Sequence, residues 1–358
     1  MQKLIAVFLL VIFSVSAQAK NAKPKNIILL VGDGMGISQI TYGILNNRDV
    51  SNFTRFKNIG LSKTSSASED ITDSAAGATA FSTGYKTYNG AIAVDVNKKP
   101  LETILEIAEK NNLATGLVTT CDITHATPAA FISHQVFRNL HEEIAADFLN
   151  TDIDIFVGGG LKNFNQRADG VDLTQVLQKN GYKIYTNEAE FFADDYVGKT
   201  AALLAEKHLA KMQNNRKDYQ EKALAKALKV LLKNKNGFFL MVEGSQIDWG
   251  GHENDAEYIK QEVIDFDRVV GKALDFAAQD KNTLVIVTAD HETGGFALTG
   301  KNNQKTENYG SITPKFTSFG HSAAMVPVFA YGVGAEEFAG IYENTEIFWK
   351  MKKLLSYQ

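Results

Sequence analysis

Three features of the sequence predict an α/β fold, a sandwich with a large, mostly parallel central sheet and helices on both faces. Short apolar runs, each the length of a buried strand, alternate with longer segments of helical periodicity. Apolar residues make up 44% of the chain and there are only five prolines, so an ordered globular core is expected rather than disorder. The residues with nucleophilic or metal-binding chemistry fall directly after the apolar runs, and in parallel α/β sheets ligands bind outside the carboxyl ends of the strands.

Taken in order, the strand-like runs are 26–31, 114–119, 153–157, 237–242 and 283–288. Between them, 101–110 has apolar positions at helical spacing, 218–233 is rich in Ala, Leu and Lys, and 255–279 is a long amphipathic stretch. The segment 300–317 is polar and reads as a surface loop, and 325–331 is a further apolar run. No linker or repeat is evident, so residues 20–358 read as one catalytic domain. It carries a variable insertion around 161–236, made of charged helix-like pieces with no evident chemistry.

The first 19 residues are read separately. Lys3, an apolar stretch over 4–13, and Ser14-Val15-Ser16-Ala17-Gln18-Ala19 form the n-region, apolar core and A-x-A ending of a secretory signal peptide, with cleavage expected after Ala19. The run is shorter than the roughly 20 residues that span a bilayer. No later stretch is apolar enough to anchor the chain, so the mature protein is expected to be periplasmic or secreted, with no membrane attachment. Cys121 is the only cysteine, so no intrachain disulfide forms and stability rests on the core and on any bound metal. The net charge of −4 argues against nucleic-acid binding driven by bulk charge. It leaves an anionic substrate open, because a bound cation can dominate a local field.

The chemistry-bearing motifs follow the same order. Gly32-Asp33-Gly34-Met35-Gly36 places a carboxylate at a strand end between glycines, open to a metal, although a tight turn with a capping Asp explains it equally well. In Thr72-Asp73-Ser74-Ala75-Ala76-Gly77, small residues follow a serine at a helix start. There the dipole and free N–H groups favour an anion, and an ordinary N-cap is the simpler explanation of that segment alone. After the fourth run, Glu243, Asp248 and His252 fall within ten residues, the last two at a spacing that one helical turn presents to a single ion. Asp290-His291 follows the fifth run, and Gly320-His321 offers another nitrogen. In His125-Ala126-Thr127-Pro128, Thr127 offers an oxygen to a hard cation, and Arg138 has the planar fork that suits phosphate.

These six motifs, in this order and spread over nearly the whole mature chain, resemble the alkaline phosphatase family. The resemblance implies a fold of helices around a large central sheet. It implies one zinc held by Asp248, His252 and His321, and a second held by Asp290, His291 and Asp33, with Ser74 joining it during turnover. It further implies magnesium at Asp33, Thr127 and Glu243, and substrate phosphate bound by Ser74 and Arg138. Around these ligands, His125 stands where some members have an acidic residue that sets metal preference, and Trp249 where others have Lys or His. Family members are often homodimers; no interface signature is visible here.

The activity this implies is hydrolysis of small-molecule phosphate monoesters through a phosphoserine on Ser74. A dication lowers the pKa of a serine hydroxyl, and in-line phosphoryl transfer needs charge stabilised on both the entering and leaving oxygens. A phosphodiesterase of the same superfamily and a non-catalytic zinc- or phosphate-binding protein are the rival readings. Glu243 with Thr127 favours monoesters over the first, and Ser74 beside a full ligand set disfavours the second.

Overall fold

The computed structural model describes residues 23–47, 49–301 and 311–355, so the predicted leader and its cleavage site lie outside the described residues. Among the described residues no helix is long and apolar enough to cross a membrane.

The run that opens the mature chain, NIILLVG, forms strand β1 (Asn26–Gly32) and is buried along its whole length. Its β-branched and aliphatic side chains alternate between two cores. Ile27, Leu29 and Val31 face one apolar cluster, and Ile28 and Leu30 face the other. The same split recurs in β7 (Phe238–Gly244) and β8 (Thr283–Thr288), where Phe239, Met241, Leu284 and Ile286 point one way and Leu240, Val242, Val285 and Val287 the other. A strand pattern apolar on both faces requires cover on both, and each fully buried aliphatic side chain contributes about 1.5–3 kcal/mol toward holding it.

The cover is helical. Ser74–Thr83, Ile104–Lys110 and Thr345–Leu355 lie in the first cluster, and Ile37–Asn46, Tyr219–Leu231 and Ala256–Asp280 in the second. The boundaries follow local chemistry. Thr103 and Glu106 close a capping box at the start of Ile104–Lys110. Asp255 accepts hydrogen bonds from the N–H groups of Glu257 and Tyr258 to begin the 25-residue helix Ala256–Asp280.

The remaining strands complete a ten-stranded sheet. They are β2 (Asn58–Lys63), β3 (Ala114–Asp122), β4 (Ile155–Gly159), β5 (Lys183–Tyr185), β6 (Thr200–Leu203), β13 (Val326–Gly332) and β14 (Gly340–Glu343). The order is β14-β2-β13-β8-β1-β7-β3-β4-β6-β5, and β13 alone runs antiparallel to its neighbours. Two short antiparallel pairs lie apart from it: β9 (Glu292–Thr293) with β12 (His321–Ser322), and β10 (Ala297–Gly300) with β11 (Ile312–Lys315). The sandwich predicted from alternation is therefore the fold.

The differences from expectation are local. The 300–317 segment, read as a loop, begins and ends in the β10–β11 pair, with its middle outside the described residues. The stretch 161–236 adds β5 and β6 to the sheet edge and lays Tyr219–Leu231 against the sheet. Strands β2 and β14 gave little apolar signal because they sit near the opposite edge and are only partly buried.

Candidate metal centre and nucleophile

Four adjacent parallel strands, β8-β1-β7-β3, end at one level. Val31 lies opposite both Glu243 and Thr288, and Glu243 opposite Thr119. The loops that follow carry Asp33, Asp290-His291, Asp248 with His252, and His125 with Thr127, so sequence-distant residues converge at one edge. Turn geometry tightens this. Gly34 has a φ of +71°, and a Cβ there would lie 2.6 Å from the Asp248 Cα. Only glycine permits that approach, and its N–H donates to Asp290 Oδ1 at 3.1 Å.

Three groups of potential metal-binding side chains result among the described residues, one of them Cys121 with His125 and Glu243. Asp33, Asp290 and His291 offer donor atoms within 4.8 Å of one another, as do Asp248, His252 and His321. These are the two triads that the family resemblance implied as zinc ligands. The two triads adjoin, because the rings of His291 and His321 stack with centroids 3.5 Å apart.

Hydrogen bonding fixes which nitrogen each histidine presents. His252 Nδ1 faces the carbonyl of Phe319, and His321 Nδ1 faces that of Thr72 at 2.8 Å. A carbonyl only accepts, so both Nδ1 atoms carry the proton and both Nε2 atoms present lone pairs. Yet the two Nε2 atoms lie 3.1 Å apart, beside Asp248 Oδ1 at 3.4 and 3.6 Å. Two lone pairs and a carboxylate oxygen aimed at one point repel unless a cation lies among them. His291 follows the same rule. Thr293 donates its hydroxyl proton to Asp248, so it accepts from His291 Nδ1 at 3.2 Å, and His291 Nε2 is turned toward Asp290 Oδ2 at 3.1 Å and Asp33 Oδ1 at 3.7 Å.

The carboxylates support the same conclusion. Asp33, Glu243 and Asp290 are at most 1% exposed. Among the described residues, both oxygens of Asp33, Oε1 of Glu243 and Oγ1 of Thr127 lack a hydrogen-bond partner, and Oδ2 of Asp290 has only the His291 ring, at 3.1 Å. Such groups cost several kcal/mol each when buried bare. Burial, then the charges of Asp290, Asp248 and Glu243, push the Asp33 carboxyl well above the usual range. Burial also raises Glu243. Burial would raise Asp290 too, but the His291 ring and the Gly34 N–H hold it low. Burial and the neighbouring His291 bring His321 down to about 4. Oxygen and imidazole donors with unfilled lone pairs fit zinc at the two triads. At Asp33, Thr127 and Glu243 the donors are all oxygen, which fits a harder ion such as magnesium.

Cys121 was not anticipated here. Its Sγ lies 3.5 Å from Glu243 Oε2, the oxygen that also accepts from the Thr119 hydroxyl, whereas the unpartnered oxygen is Oε1. Burial and the charge of Glu243 raise the thiol far above its ordinary value. Cys121 thus backs Glu243 as a neutral neighbour.

Ser74 begins the wholly buried helix Ser74–Thr83. Its run of Ala and Gly lets the helix lie close to the end of β8; a Cβ on Gly77 would sit 3.1 Å from the Asp290 Cβ. Ser74 Oγ is thereby 3.3 Å from His291 Nε2. Asp73 is the N-cap, its Oδ1 accepting from the N–H groups of Ala76 and Gly90, both at 3.0 Å. Its Oδ2 accepts from Arg138 Nη1 at 2.9 Å. One aspartate therefore starts the nucleophile's helix and aims the guanidinium beside it. Arg138 Nη2 also approaches His125 Nε2 at 3.4 Å. His125 and Trp249 pack edge to face, 6.3 Å between centroids.

Sequence reasoning missed Asp73 in this double role and missed His208, whose ring lies 4.7 Å from Trp249. No motif marked His208; only its residue type could have drawn attention.

Comparisons with known proteins identify the family and the fold. The sequence profile described as Alkaline phosphatase matches residues 24–315. Alkaline phosphatase 3 of Bacillus subtilis is 34% identical, with 93% of this chain and 89% of that protein covered. The alkaline phosphatase of the Antarctic bacterium TAB5 superposes with a TM-score of 0.90 at 50% identity, covering 93% of this chain and 98% of that one. A variant of it, His replaced by Asp and Mg bound in its M3 site, matches at TM-score 0.89 and 48% identity, over 94% and 99%. With this sheet, this convergence of ligands and these relatives, the chain belongs to the alkaline phosphatase family.

Proposed function

We propose that the protein is an exported phosphomonoesterase, a single catalytic domain that hydrolyses phosphate monoesters through a phosphoserine on Ser74. The observation that carries this reading is the 3.3 Å approach of Ser74 Oγ to His291 Nε2, beside two triads of unfilled donors. Asp33, Asp290 and His291 would hold one zinc, Asp248, His252 and His321 the other, and Asp33, Thr127 and Glu243 a magnesium. Bound there, the ions supply positive charge that acidifies the serine hydroxyl and neutralises the leaving oxygen.

The chain's own groups do the rest. Arg138, held by Asp73, grips two non-bridging phosphate oxygens through charge-assisted hydrogen bonds. The Ser74 N–H, at the positive end of its helix, favours the same dianion. Ser74 Oγ attacks phosphorus, the ester P–O bond breaks and the alcohol departs. Water then attacks the phosphoserine from the vacated side, releasing phosphate and restoring Ser74. His125 and Trp249 border Arg138 and the Asp248 triad, where they shape the space around the leaving group.

Acid-quenched single turnover on an aryl phosphate, followed by peptide mass spectrometry, should find phosphate on Ser74. Wild-type turnover by Ser74→Ala would overturn the mechanism. A faster rate on an aryl diester than on the monoester would overturn the substrate class, and metal analysis of the purified protein tests the ion assignments.

A further inference from the structure

Beside Arg138 lies a cavity of about 310 Å³ that phosphoserine chemistry does not use. Arg138 and His125 form the wall it shares with the candidate centre. Lys162, Lys207 and His208 form another part, and all three come from the stretch 161–236. Among the described residues neither Lys162 nor Lys207 has a carboxylate within ion-pair distance, although most cations that ring the rest of this stretch do.

The lining has one carboxylate, Asp122, and it is already engaged. Its Oδ1 accepts from the Thr124 N–H and hydroxyl at 2.9 and 2.8 Å, and its Oδ2 accepts from Asn163 at 2.8 Å. His208 is oriented too. The Asp122 N–H donates to His208 Nδ1 at 3.1 Å, so the proton of the neutral ring sits on Nε2 as a free donor. Burial holds this ring below its ordinary pKa; the Asp122 charge opposes that shift, and His141, Lys162 and Lys207 add to it. Two ammonium groups without a carboxylate partner and an N–H donor around one hollow, beside the Asp73-paired guanidinium of Arg138, favour entry of an anion.

We propose that this cavity is a subsite for a second phosphate on the substrate, so that the enzyme favours small polyols carrying two phosphate monoesters. The inference rests on the phosphomonoesterase reading above. Arg138 joins the two locations: the reacting phosphate lies against Ser74, and the second reaches past His125 toward Lys162 and Lys207. The volume is at the lower end of the range of ~300–1,000 Å³ for ligand sites. It admits a phosphate with a few carbons. Three donor groups from separate directions match the three terminal oxygens of a phosphate better than the two of a carboxylate.

The test compares fructose 1,6-bisphosphate, fructose 6-phosphate and 4-nitrophenyl phosphate on wild-type protein and on the Lys162→Gln/Lys207→Gln variant, with calorimetric binding of the bisphosphate to both proteins. Both lysines are solvent-accessible, so the fold should tolerate the change. Expected is a rise in KM and Kd for the bisphosphate of roughly three-fold per lysine, about ten-fold together. The two monophosphates should change by less than about two-fold, and the added salt sensitivity of the bisphosphate should vanish. An unchanged bisphosphate Kd, or an equal loss on all three compounds, overturns the subsite. Absence of turnover on all three by wild type overturns the phosphomonoesterase reading instead, and the binding result still decides the subsite.

Discussion

Replacing Gly34 by Ala tests whether backbone geometry between β1 and β7 sets the metal centre. The residue has a φ of +71°, where an L side chain is strained. Its new Cβ would meet the Asp248 Cα at 2.6 Å, the Thr293 Oγ1 at 2.8 Å and the Asp248 Cβ at 2.9 Å. Gly170 supplies the control: its φ is +72°, but a Cβ there meets nothing within 4 Å. Gly170→Ala should therefore cost only the dihedral strain, about 1 kcal/mol. Gly34→Ala adds overpacking against backbone that cannot swing aside, about 2 kcal/mol more, giving about 3 kcal/mol in all. Because the clash falls on Asp248, the variant should also bind zinc roughly ten- to hundred-fold more weakly. Denaturant unfolding of the chelated proteins measures the first effect, and zinc competition with a chelating dye the second. If both alanine variants lose the same stability and keep the same zinc affinity, the close approach of Gly34 to Asp248 has no role in building the site.

The other predictions concern charge and capping. Asp73→Ala should lose about 1 kcal/mol from the helix cap plus a few tenths from the half-buried Arg138 pair, whereas Asp73→Asn keeps the cap and loses only the latter; thermal unfolding of the pair separates them. Arg138→Ala should raise the inhibition constant of inorganic phosphate roughly ten- to hundred-fold with metal content unchanged; an unchanged constant would remove Arg138 from the phosphate site. In chelated protein the Asp33 carboxyl is raised by burial and by its acidic neighbours, so its stabilising share is complete below the ordinary aspartate pKa and is lost as pH rises toward its folded value. Metal binding needs the ionised form, so the gap in melting temperature between loaded and chelated protein should widen as pH increases from 5 toward neutrality; a constant gap would argue against a cation at Asp33.

Much of the centre could be read from the chain because its residues fall at the ends of apolar runs. The continuously buried strands β1, β7 and β8 end at Gly32, Gly244 and Thr288; Asp33 and Asp290 follow β1 and β8 within two residues, and Glu243 is the penultimate residue of β7. Burial on both faces leaves a pattern that composition alone reveals, and the carboxyl ends of parallel strands are where exposed polar groups collect. The 161–236 stretch was opaque for the opposite reason. Strands β5 and β6 have three and four residues, too short for a period, and Lys162, Lys207 and His208 are ordinary polar residues until the chain is folded. The helix start at Ser74 was visible, but the grip of its capping residue Asp73 on Arg138, 65 positions away, was not.

Local side-chain chemistry and strand-length apolar runs determined the fold class, the central strands of the sheet and the residues that could serve as donors. The tertiary structure alone decided that β8, β1, β7 and β3 lie side by side, that His252 and His321 present bare Nε2 atoms to each other, and that a basic hollow opens beside Arg138. The reason is physical: strand order and ring orientation depend on packing and hydrogen bonds between residues far apart in the chain, which no local pattern encodes.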